Sequence, residues 1–158
     1  MKDKFSLEEH MIEQTIERLE HLYDTIPSLL TSLTQEEYTN KREPTSWSKK
    51  EILGHLIDSA TNNHQRFVRV QFEDSPTISY NQNEWNRSSH HEQIPMQQLI
   101  SFWTAYNLFL IELLKHIPEE SLLKTCNIGK ESPVTLAWII QDYVRHLEHH
   151  LKQIIVYN

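Results

Sequence analysis

Glycine is almost missing from this chain: two in 158 residues. That excludes a glycine-rich phosphate loop or a dinucleotide fingerprint, which need several glycines at fixed spacing, and it disfavours folds built on many tight turns. Cysteine occurs once, at Cys126, so no internal disulfide can form, and a reducing compartment is the natural setting. A basic excess is lacking too. The formal net charge of −7 speaks against a nucleic-acid backbone as partner. No apolar run approaches the ~20 residues that cross a bilayer, and the first ten residues, MKDKFSLEEH, lack the apolar stretch of a signal peptide. The expectation is a cytoplasmic protein with neither nucleic acid nor membrane as partner. Its length suits a single domain, residues 1–158, that buries a real core.

What the chain does have is helical periodicity in four segments, with no sustained two-residue alternation. The first runs from about Leu7 to Leu33, its apolar residues recurring three to five apart, with a kink or restart expected at Pro27. A polar connector follows. Ser48 then opens S-K-K-E, the capping-box pattern, for a second helix to about Phe72. Residues 73–94 are polar and aromatic without period, a long loop of the kind that often covers a site. The third helix starts near Pro95 and ends before Pro118; the fourth covers about Thr135 to Val156. The pattern predicts an all-α four-helix bundle. Whether the second connection crosses over stays open.

Polar residues line up on two of these helices. His55, Asp58, Asn62 and Arg66 follow at spacings of three, four and four, so they share a face beside an apolar stripe. Asp142, His146, His150, Gln153 and Tyr157 do the same on the last helix. Facing helices of a bundle build metal sites from such stripes. His146 and His150, one turn apart, can reach one ion, and His55 is the natural third ligand; His149 points about 60° away. The pair alone says little, because ten histidines in a chain of this length produce about 0.6 His-x-x-x-His pairs by chance, and solvated or core histidines remain the alternative. There is no H-E-x-x-H, so a zinc-protease mechanism with an adjacent glutamate base is not supported. Asp58, Asn62 and Arg66 are candidates for orienting the ligands or touching substrate, or else form a buried structural network. Tyr80, Trp85, His90 and His91 lie in the long loop, with surface packing the plainer reading. Cys126 has no histidine near it in sequence. Trp47 and Trp138 read as core, and Arg42 as a solvated face.

Two stretches, W-S-K-K-E-I-L-G-H-L-I-D-S (Trp47–Ser59) and D-Y-V-R-H-L-E-H-H-L-K-Q-I (Asp142–Ile154), resemble the DinB/YfiT-like superfamily. Arg66–Phe67 and Ser75–Trp85 resemble its YfiT-like branch, which includes bacillithiol transferases. The resemblance implies an up-down-down-up bundle, a homodimer, and one divalent metal ion held by three histidines, which fall here on His55, His146 and His150. Zinc, nickel, iron and manganese are not distinguished by this ligand set. It also implies a thiol-dependent S-transferase acting on small electrophiles, with a low-molecular-weight thiol as cosubstrate recognised mainly by Arg66. The alternatives are a metal-dependent hydrolase that uses a metal-bound water, and a bundle that binds metal without turnover.

Overall fold

The computed structural model describes residues 2–158 and the side chains of residues 10–158. Four long helices dominate: α1 (Lys2–Thr31), α3 (Lys49–Arg69), α5 (Met96–Lys115) and α6 (Leu136–Ile154). Short helices α2 (Gln35–Thr39) and α4 (Gln82–Ser88) sit in the connections, along with single 3₁₀ turns at His91–Gln93 and Glu119–Ser121. Two two-residue strands, β1 (Thr125–Cys126) and β2 (Val134–Thr135), pair antiparallel ahead of α6.

The helix starts are chemical. Ser48 accepts from the backbone N–H of Glu51 while Glu51 accepts from that of Ser48, closing the capping box expected from the sequence. Thr34 and Glu37 close the same box at α2, a short helix inside the polar connector. Thr135 caps α6 through the N–H of Trp138. No restart occurs at Pro27; α1 continues through it to Thr31. Helix α3 stops three residues short of Phe72.

Helices α1 and α3 occupy opposite corners, each packed against both α5 and α6. Side-chain pairs give the directions. Along α3, from His55 to Phe67, the partners on α6 run backward from His150 to Tyr143, so these two are antiparallel. On α1, Ile16 and Tyr23 meet Leu114 and Trp103, so α1 and α5 are also antiparallel. Thr15 and Arg18 meet Gln141 and Glu148, so α1 and α6 are parallel. The bundle is therefore up-down-down-up. A parallel α3 and α5 require residues 70–95 to travel back the length of α3, which settles the crossover in the second connection.

The core lies between the four stripes: Leu19, Leu22, Ile26 and Leu30 of α1, Leu53, Leu56 and Phe67 of α3, Trp103 and Leu110 of α5, and Ile139, Ile140, Leu147 and Leu151 of α6. Burying an aliphatic side chain of this kind stabilises by about 1.5–3 kcal/mol. Among the described residues, no helix is long and apolar enough to cross a membrane.

Candidate metal centre

His55 is wholly buried on α3, and His146 and His150 face it from α6. Nε2 of His55 lies 3.0 Å from Nε2 of His146. One ring nitrogen from each of the three histidines falls within 4.8 Å of the others. The three rings meet edge to face, with centroids 4.6–4.9 Å apart. A single cation can touch all three.

The back of each ring has its own setting. Gln153 accepts from Nδ1 of His150 at 3.2 Å, which leaves Nε2 of that ring with a free lone pair. The Gln153 amide in turn donates to His149 at 3.2 Å, so the exposed third histidine of the run steadies the residue that orients His150. Ser59 Oγ stands 3.5 Å from Nδ1 of His146 and accepts from the amide of Asn63 at 3.3 Å. Nδ1 of His55 is buried without a partner among the described residues, under the indole of Trp47, whose ring centre is 4.9 Å away. Burial holds all three imidazoles below their ordinary range. His55 is pushed to about 3, mainly by burial and then by His146 and His150; His146 falls to about 4, from burial and then His150; His150 is lowered by burial. Neutral imidazole is the form that binds a metal. These donors fit a divalent cation: three nitrogens, unprotonated at neutral pH and converging on one point.

Of the other residues of the α3 stripe, Asp58 and Arg66 hold the long connection. Asp58 accepts from Nε2 of His91 at 3.0 Å and from Ser89 at 3.3 Å. Asn62 donates to the Asp58 carbonyl, within its own helix. The Arg66 guanidinium donates twice to the carbonyl of Ile78, at 3.1 and 2.9 Å, and once to Asn63. None of the three hydrogen-bonds a ligand histidine among the described residues. Lys50 donates to the Glu92 carbonyl and Asn86 to that of Glu51, so residues 78–92 are stitched down α3 from its end to its start.

His91 lies flat on Gly54. A Cβ at that glycine would fall 2.3 Å from two atoms of the His91 ring. One of the two glycines of the chain is thus explained by close approach, the usual sense of a glycine inside a helix. His91 is buried, where surface packing was the plainer expectation, whereas His90 is exposed in a left-handed conformation (φ 53°). Tyr80 packs edge-on to Trp85 beneath the Arg66 guanidinium. Cys126 is buried, its thiol pushed up by burial.

A cavity of about 460 Å³ opens beside the cluster, lined by Trp47 and Gln153, which touch His55 and His150, and by Arg42, Lys49, Ile52 and others. Periodicity could not mark Trp47, Ser59 or Gln153 as neighbours of the ligands. The only signal for Gln153 is its place one turn after His150.

Known proteins resemble the chain in sequence and in fold. The chain is 25% identical over 152 residues to a protein of Bacillus cereus (strain B4264) named "putative metal-dependent hydrolase", covering 96% of this chain and 87% of that one. A protein of the same description from Bacillus thuringiensis subsp. konkukian (strain 97-27) matches to the same extent. The solved structure of YfiT from Bacillus subtilis superposes with a TM-score of 0.82 at 19% identity, over 90% of this chain and 83% of that one; it is described as a probable metal-dependent hydrolase with an unusual four-helix bundle topology. At that identity the likeness concerns the fold. The DinB superfamily pattern matches residues 18–154, a span that holds all three histidines, and the chain belongs to the DinB superfamily.

Proposed function

We propose that the chain is a metal-dependent enzyme in which His55, His146 and His150 hold one divalent cation. The observation that carries this is the convergence of three neutral imidazole nitrogens within 4.8 Å. When bound, the cation supplies Lewis-acid chemistry: it acidifies a ligated water or thiol and polarises a carbonyl. The chain supplies the geometry. Gln153 fixes the ring of His150, Ser59 stands behind His146, and Trp47 covers His55. Neutral ligands leave the full double charge of the ion in place. The ligand set suits zinc, nickel or iron without choosing among them.

The reaction we propose is hydrolysis of a small molecule, supported by the description that the relatives carry. Thiol-dependent S-transfer is the second reading, and a specific observation favours it. Among the described residues, no carboxylate stands in the cluster to take a proton from water, and the Asp58 oxygen that has partners is engaged by His91 and Ser89. A thiol loses its proton near a cation more readily than water and has less need of such a base.

His150→Ala should abolish stoichiometric metal binding, read by elemental analysis, while helix content by circular dichroism is kept; full occupancy in that variant overturns the assignment. Metal-loaded protein incubated with an activated ester or an alkylating electrophile, with and without a small thiol, separates the two reactions. Product formed without thiol sinks S-transfer, and strict thiol dependence sinks hydrolysis. We further propose that two copies pair through α5, where Phe102 and Phe109 are half exposed and stack on either side of Tyr106. Light scattering at micromolar concentration tests this, and a monomer mass refutes it.

A further inference from the structure

The chain is acidic, and its cations are mostly spoken for. Arg18, Lys41, Arg69, Arg87, Lys115 and Arg145 each pair with a carboxylate. Lys50, Arg66 and Lys124 donate to backbone carbonyls. Of the four described cations with neither kind of partner, Lys130 lies over the ring of Trp138. The remaining three, Arg42, Lys49 and Lys152, come from different parts of the chain and converge on one place. Arg42 and Lys49 line the 460 Å³ cavity beside the histidines. With Lys152 they also line an adjoining cavity of about 380 Å³ that has no acidic residue in its wall. Gln153 is common to both cavities.

Three like charges around a concavity repel one another, and Glu37, whose carboxylate lies near Lys49, offsets only part of that charge. The one carboxylate in the first cavity, Glu37, is occupied in capping α2: its Oε2 accepts from the Thr34 N–H at 2.7 Å and the Thr34 hydroxyl at 2.9 Å. The groove is also next to the cluster. Gln153 hydrogen-bonds His150, and Trp47, in the first cavity's wall, packs on His55. We propose that this groove is the subsite for the anionic end of the substrate or cosubstrate, a carboxylate- or phosphate-bearing small molecule. Arg42, Lys49 and Lys152 hold the oxyanion, and its reactive end reaches the three histidines. The inference rests on the reading of those histidines as the reaction centre and adds a substrate class to it.

The test is made on the metal-free full chain, so that it is read independently of metal binding. Succinate in one arm and inorganic phosphate in the other are titrated while the Trp47 indole and Gln153 side-chain amide signals are followed by NMR. The expected result is saturable shifts of both signals in at least one arm; the arm that saturates at lower concentration assigns carboxylate or phosphate. Affinity should fall about tenfold or more in the Arg42→Gln/Lys49→Gln/Lys152→Gln variant, rise in Glu37→Gln, and stay unchanged in Lys130→Gln. No shift with either anion, or wild-type affinity in the triple variant, overturns the proposal. That failure would leave metal binding untouched, just as loss of the metal reading in His150→Ala would leave anion binding untouched.

Discussion

Gly54→Ala is a substitution whose sign separates two accounts of α3. Helix propensity alone predicts stabilisation, since alanine inside a helix is favoured over glycine by about 0.8–1.0 kcal/mol. The structure predicts the reverse. The new methyl would stand 2.3 Å from the Cδ2 and Cγ atoms of His91 and 2.7 Å from its Cβ, all well inside ordinary contact. The ring is not the free end of a flexible chain. Its Nε2 is tied to Asp58 at 3.0 Å, and both side chains are about 5% exposed. Relief by moving the ring breaks that bond and leaves a buried carboxylate with only Ser89. Overpacking costs about 1–3 kcal/mol and a buried hydrogen bond to a charged group about 1.5–3 kcal/mol. Allowing for the gain in propensity, the expected loss is about 2–4 kcal/mol, or a fall in melting temperature of roughly 10 °C. His91→Ala removes both the clash and the bond, so the double variant should be more stable than the sum of the singles by about 1–3 kcal/mol. Urea denaturation of the four proteins measures the cycle. A stabilised Gly54→Ala protein, or additive singles, would refute the packing of the connection on α3.

Three further outcomes follow from the same contacts. In the metal-free chain, His55 titrates near 3 when folded and near 6.5 when unfolded, so below pH 6.5 the unfolded state binds the extra proton and stability falls as pH falls toward 3. Between pH 7.5 and 5 this one residue accounts for about 2 kcal/mol, and unfolding free energies that stay flat across that range would contradict its burial as a neutral ring. Ser48→Ala opens the capping box at the start of α3 and should lower stability by about 1 kcal/mol, with unchanged urea midpoint as the refuting result. Arg66→Met deprives the Ile78 carbonyl of both donors and should cost about 1.5–3 kcal/mol while leaving metal stoichiometry at one; loss of metal in a folded Arg66→Met protein would show that this guanidinium serves the ligands after all.

Periodicity located the four long helices because each buries one stripe, and Ser48 and Thr135 also cap α3 and α6, whereas α5 starts at Pro95 without a side-chain cap. It missed α2, although Thr34 and Glu37 form the same box as Ser48 and Glu51, because five residues carry no stripe. It missed α4 and the path of residues 70–95 because their partners are distant in sequence: Arg66 with Ile78, Asn86 with Glu51, His91 with Asp58. The stripe on α3 also taught less than its regularity suggested. His55, Asp58, Asn62 and Arg66 do share a face, yet at 1.5 Å per residue Arg66 sits about 16 Å along the axis from His55. A stripe fixes direction and leaves open which neighbour each residue meets on the way. Only His55 meets α6 at the histidines; Asp58 and Arg66 meet the returning connection, and Asn62 bonds within α3. The lone cations show the opposite case. Arg42 precedes α3, Lys49 opens it and Lys152 lies near the end of α6, so no single helical pattern contains them. They become a group only because α3 and α6 are antiparallel, which brings the start of one to the end of the other. The same antiparallel pairing brings His55 to His150, so the histidine cluster and the basic groove are two consequences of one packing.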